Sequence, residues 1–203
     1  MTAAPQLPEL IVRDGAAWAE WLDANDATSP GVWLVLAKRG TTDPTELTYA
    51  AALDEALCHG WIDGQRRGRD EDTFGQRFTR RRPRSPWSQR NVGIAERLVA
   101  EARMLPSGLA EMDRAKADGR WAAAYAGPAT ITVPAALAAA LDADAAAAAT
   151  FATLSSQNRF AVLYRIEAAK RADTRARRIE QFVAMLARGE TVHPQRRSGD
   201  PSP

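Results

Sequence analysis

The stretch VWLVLAK, Val32 to Lys38, is apolar at successive positions instead of alternate ones. A strand with one wet face alternates, so a run that does not alternate reads as a central strand buried on both sides. The chain must therefore build a sheet around 32–38, and the strand candidates near it are few. ELIVR (9–13) is a short β-branched run closed by the turn pair Asp14-Gly15. WIDGQRRG (61–68) reads as a strand, and TFGQRFT (73–79) places Phe74, Gln76 and Phe78 on one face. The acidic RDED between these two predicts a hairpin.

Helical spacing fills the gaps. Trp18, Trp21 and Leu22 predict a helix over Ala16–Asn25. Thr48 is placed to cap YAAALDEALCH, with Leu47 as a staple and Gly60 as its stop. After Pro83 only helices are predicted. The first is capped by Ser85 or Ser88, has Pro86 at its first turn, and buries Val92, Ala95, Leu98, Val99 and Ala102. Pro106 and Gly119 bracket the next. The alanine-rich run 134–151 breaks near Asp142, which is placed to cap its second piece. Ser155 or Ser156 caps a helix with Phe160, Leu163, Tyr164 and Ala168 inward. Asp173 or Thr174 caps the last, which turns Ile179, Phe182, Val183 and Leu186 inward and stops at Gly189. Strands first and helices after is the α+β pattern, a small N-terminal sheet with two helices followed by a mostly helical C-terminal half. The expected parts are 1–83 and 84–190, packed together or as one domain, and a disordered tail over 191–203.

The net charge of +2 hides a gradient: residues 1–60 sum to −6, 61–100 to +5 and 101–203 to +3. Basic charge in the middle thus has an acidic partner within the chain, which weakens any inference from the mean to nucleic acid. One cysteine and two histidines exclude an intramolecular disulfide and a multi-cysteine metal site. No nucleotide-binding glycine motif is present, so no cofactor is implied. With no leader-like N-terminus and no run of about 18 uncharged apolar residues, a cytoplasmic protein without membrane insertion is expected.

The basic excess gathers in RFTRRRPRSPWSQRN, Arg77 to Asn91, which holds six arginines, two prolines and no acid. Guanidinium forks suit phosphate and carboxylate, prolines stiffen the loop, and Trp87 offers a stacking face. Three readings stand: salt bridges to the acidic N-terminal part, a site for a small anion, or a nucleic-acid surface joined by Arg171, Arg175 and Arg178 of a later helix. The anion site would comprise Arg77, Arg81, Arg82 and Arg84 as charge donors, Trp87 as a packing or stacking wall, and Asp63 orienting an arginine such as Arg77. Cys58, His59 and Asp63 hold the residue types of a nucleophilic triad, although adjacent positions on a helix face apart.

CHGWIDG and the arginine stretch, with NRFAVLYRIEAAKRADTRARRIEQFVAML, resemble the YdeI/OmpD-associated family of bacterial proteins, also labelled bacteriocin-protection proteins. The resemblance spans nearly all of 8–189. It is strongest at Cys58-x-Gly60-Trp61-Ile62-Asp63-Gly64, at Arg77-Phe78-Thr79, and at Arg81-Arg82-Pro83-x-Ser85-x-Trp87-Ser88. The chain departs from the pattern at Arg80, where the family has proline, and at Pro86. The resemblance implies a stress or resistance role, tolerance of cationic antimicrobial peptides or association with a porin, and brings no catalytic residue set.

Overall fold

A computed structural model describes residues 7–195. The chain divides after Ala124 into two compact units.

Among the described residues the first unit is a four-stranded sheet with four helices. In chain order they are β1 (Glu9–Leu10), α1 (Gly15–Asn25), β2 (Val32–Ala37), α2 (Tyr49–Cys58), β3 (Trp61–Gly68), β4 (Thr73–Arg80), α3 (Gln89–Ala100) and α4 (Pro106–Ala117). The sheet order is β1-β2-β4-β3, with β1 parallel to β2 and the other pairs antiparallel. The expected run 9–13 pairs only at Glu9 and Leu10. Asp14 follows, and its carboxylate accepts from the amide of Ala17 to cap α1.

Register sorts the side chains by face. Val32 opposes Phe78 and Leu36 opposes Phe74, and all four belong to a core with Trp18 and Leu22 of α1 and Leu53 and Leu57 of α2. Ala95 and Leu98 of α3 and Met112 and Ala115 of α4 belong to the same core. Trp33, Val35, Ile62 and Arg77 lie on the other face, and none of them joins that core. β2 is indeed central. Over its second face runs Arg67, which crosses Gly75 opposite Val35 and rests 4.4 Å from the Trp33 ring on its way to Glu9.

Helix ends follow local chemistry. Thr48 caps α2, Ser88 caps α3, and Gly60 takes a positive φ of 73° to leave α2 for β3. Pro86 therefore stands outside α3. Its buried stripe is Asn91, Ala95 and Leu98, while Val99 is exposed and Ala102 lies beyond its end.

The second unit packs α5 (Ala135–Asp142), α6 (Ala145–Ala152), α7 (Ser156–Glu167) and α8 (Ala172–Ala187) around Leu137, Leu141, Phe151, Leu163, Ile166 and Leu186. Asp144, not Asp142, caps α6, and Ser155 caps α7. α8 starts at Ala172 with no side-chain cap; Asp173 sits in its first turn, where a carboxylate still suits the helix dipole. Of the expected tail, 196–203 lie outside the described residues. Gln195 accepts from the Ser155 amide and the Asn158 side chain, which ties this segment to the start of α7.

No single helix among the described residues is long and apolar enough to cross a membrane.

Candidate functional site: the arginine turn after β4

The turn is built from inside. As β4 ends, the Arg81 amide donates to Gly60 O at 3.1 Å, which joins the arginine stretch to CHGWIDG. The Arg81 side chain is 4% exposed, lies 3.5 Å from the Trp87 ring centre, and donates to Pro86 O at 3.2 Å. Arg120 donates to Ser85 O at 2.8 Å and pairs with Asp118. The Ser85 hydroxyl accepts from the Arg82 amide, and the Ser85 amide donates to Arg82 O. Two guanidiniums thus hold the turn's carbonyls from within, while Arg82 and Arg84 are exposed. Trp87 is 2% exposed, between Arg81 and Trp121, so its ring works as a wall of the turn.

The ion pairs settle where the acidic N-terminal charge goes. Glu9 takes Arg67 and Arg69, Asp54 and Glu55 take Arg97 and Arg103, and Asp23 faces His59. Arg77, Arg80, Arg82, Arg84 and Arg90 enter no ion pair among the described residues. The internal partner exists, but it serves the arginines on either side of this stretch.

Asp63 and Arg77 do not meet. Asp63 opposes Phe78 on the helix face, whereas Arg77 opposes Trp33 on the other. Arg77 lies against Gly64, where a Cβ would stand 3.0 Å from its Nε. Asp63 instead accepts the Tyr49 hydroxyl at 2.8 Å, and Arg90 donates to that hydroxyl at 3.4 Å with its guanidinium 5.1 Å from the ring centre. Burial and the neighbouring Asp63 charge push the Tyr49 hydroxyl well above the usual tyrosine range, so it stays protonated and donates. Asp63 is thus linked through the Tyr49 hydroxyl to Arg90 and not to Arg77. Sequence reasoning missed both partners, because the contact depends on how the starts of α2 and α3 pack.

Cys58 and His59 have separate surroundings. The His59 ring lies between Glu55 O at 2.8 Å and Asp23 Oδ1 at 2.9 Å. The Cys58 thiol is buried, which with the Glu55 charge pushes it from 9.0 to about 11. The folded state holds the proton more tightly, so this contribution to stability is complete below pH 9.0 and is lost as pH rises towards about 11. A disulfide reagent at pH 8 is expected to leave Cys58 unmodified in the folded chain and to modify it on addition of denaturant. Fast labelling of the folded chain would contradict the buried, neutral thiol. Among the described residues no group of three or more His, Cys, Asp and Glu could hold a metal ion.

In the second unit, Arg171 pairs with Asp173, while Arg175 and Arg178 donate to Ala169 O and Arg165 O at the end of α7. The basic face of α8 thus closes the C-terminal end of its neighbour.

Two family models match the chain, one per unit. Residues 10–111 match a domain of unknown function, DUF8412. Residues 130–189 match the bacteriocin-protection, YdeI or OmpD-associated family. The family expected over 8–189 is thus matched over the second unit, and CHGWIDG and the arginine turn fall in the other match. No curated protein and no solved structure matches.

Proposed function

The chain belongs to the DUF8412 family and, in its second unit, is of the YdeI/OmpD-associated type; on that footing we propose that it is a binding protein that takes anionic groups on the turn between β4 and α3. The observation that carries this reading is the concentration of unpaired arginines on a turn held from within. Arg81 and Arg120 keep the backbone in place. Arg82 and Arg84 then meet a phosphate or carboxylate with little backbone ordering to be done. The neutral Cys58 thiol and the occupied His59 ring support binding over nucleophilic chemistry. A turn of this charge repels cationic peptides, so a protective role of the kind named for the second unit's family would not run through their capture here.

Thermal unfolding at low salt, with inorganic phosphate, pyrophosphate, nucleotides and acidic headgroups, tests the reading. A bound anion at about a hundredfold excess over its Kd stabilises by about 2.7 kcal/mol, or roughly 5–10 °C. The double variant Arg82→Ala/Arg84→Ala is expected to lose that shift and keep the ligand-free melting temperature, since both side chains are exposed. Unchanged melting with every anion would sink the proposal.

A further inference from the structure

We infer that the anion taken by this end of the sheet is extended, a single-stranded nucleic acid; this rests on the anion-binding reading above. The unpaired guanidiniums do not share one side. Arg77, half-buried, opposes Trp33 on the second face, and Arg80 opposes Trp61 on the helix face. Arg82 and Arg84 project from the turn beyond the strand, and Arg90 stands on α3 beside Tyr49. One phosphate or carboxylate engages one or two guanidiniums. A strand rises about 3.3 Å per residue, so Arg77 and Arg80 are roughly 10 Å apart along β4 as well as on opposite faces. No small anion reaches them together. A flat membrane or a stiff duplex meets one side of a sheet at a time. A flexible chain of phosphates can pass from the Arg77 side around the turn to α3.

The chemistry beside the charges fits bases as well as phosphates. Tyr49 and Trp33 are half-buried rings, each with a guanidinium against it, and stacking on aromatic and arginine planes is how single strands are held without sequence readout. Asp63, the carboxylate beside Arg90, is already engaged by the Tyr49 hydroxyl. The mixed arginine and aromatic surface thus has phosphate partners and base partners within one span of strand.

Fluorescence anisotropy on the full chain, with labelled oligothymidylates of about 4 and about 20 nucleotides, tests this. Five phosphate contacts at about 0.7 per contact give a log–log salt slope near −3.5, or roughly 100-fold weaker binding of the longer strand between about 50 and 200 mM salt. The shorter strand, which cannot span both faces, is expected to show a shallower slope. Arg77→Ala on the second face and Arg90→Ala on the helix face should each lower the long strand's slope by about 0.7. If phosphate or nucleotides stabilise the chain but both strands give the same slope, the extended ligand is wrong and the anion site stands. Equal binding of a duplex overturns the choice of a single strand. Binding to phosphatidylserine vesicles without oligonucleotide binding overturns the inference in favour of a membrane surface. No response to any anion removes both readings.

Discussion

Trp18→Ala is expected to remove about 4 kcal/mol of the first unit's unfolding free energy, the middle of the range for deleting a buried aromatic side chain. Trp18 is fully buried where α1 meets the sheet. Its ring centre is 5.3 Å from Trp21, 6.3 Å from Trp61 and 5.7 Å from Phe78. Four rings from one helix and two strands thus meet at one point, and each contact adds to the area term. Its indole N–H donates to Ala52 O at 3.1 Å and so fixes α1 against α2. Alanine would leave a cavity bounded by rigid rings, which cannot collapse to fill it. Trp18→Phe keeps most of the volume and loses the hydrogen bond, so a cost of about 1–2 kcal/mol is expected. Urea unfolding followed by circular dichroism checks both. Equal costs for the two variants would show that ring volume is not what holds α1 down.

How much of this was legible before the fold depends on the distance over which each signal acts. Thr48, Gly60, Ser155 and Gly189 mark helix ends through contacts a few residues long, and each stands where expected. The Phe74, Gln76 and Phe78 alternation placed β4 correctly against the core. The cover of β2 was not legible. A fully apolar strand suggests a second layer, but here a guanidinium from β3 crosses a glycine in β4 to lie on Trp33. The amphipathic length of arginine allows this, and no local pattern announces it. The acidic N-terminal charge foretold internal pairing and named the wrong arginines. Arg67 and Arg69 stand at the end of β3 and reach Glu9, while Arg97 comes from α3 and Arg103 from the segment just past its end. The site was legible as a stretch and not as a geometry. Asp63 and Arg77 look like partners in sequence, yet the hairpin register sends them to opposite faces.

Gly108→Val is expected to destabilise the first unit by about 3 kcal/mol or more and to weaken anion binding with it. Gly108 stands in the first turn of α4, and its backbone is ordinary helix, so what it supplies is room. A Cβ there would come 2.5 Å from Cys58 O and 2.7 Å from Leu57 O, and would also strike the Met104 sulfur. The methionine can move, but the carbonyls are the last turn of α2. That turn is held by Gly60, whose own Cβ position lies 3.0 Å from Ser107 O. Two glycines thus let the end of α2 and the start of α4 touch through backbone. Pushing them apart displaces Gly60, and its carbonyl is the acceptor for the Arg81 amide at the root of the arginine turn. Stability and binding should therefore fall together, unlike in Arg82→Ala/Arg84→Ala, where binding falls alone. Gly93→Ala gives the opposite sign: it lies within α3 with nothing within 4 Å of its Cβ position. That substitution is expected to stabilise by about 0.5–1 kcal/mol, because alanine favours helix and meets no wall. Thermal melts of the two variants, with and without pyrophosphate, measure both effects. A Gly108→Val chain that melts like the parent would mean that α2 and α4 are not in backbone contact.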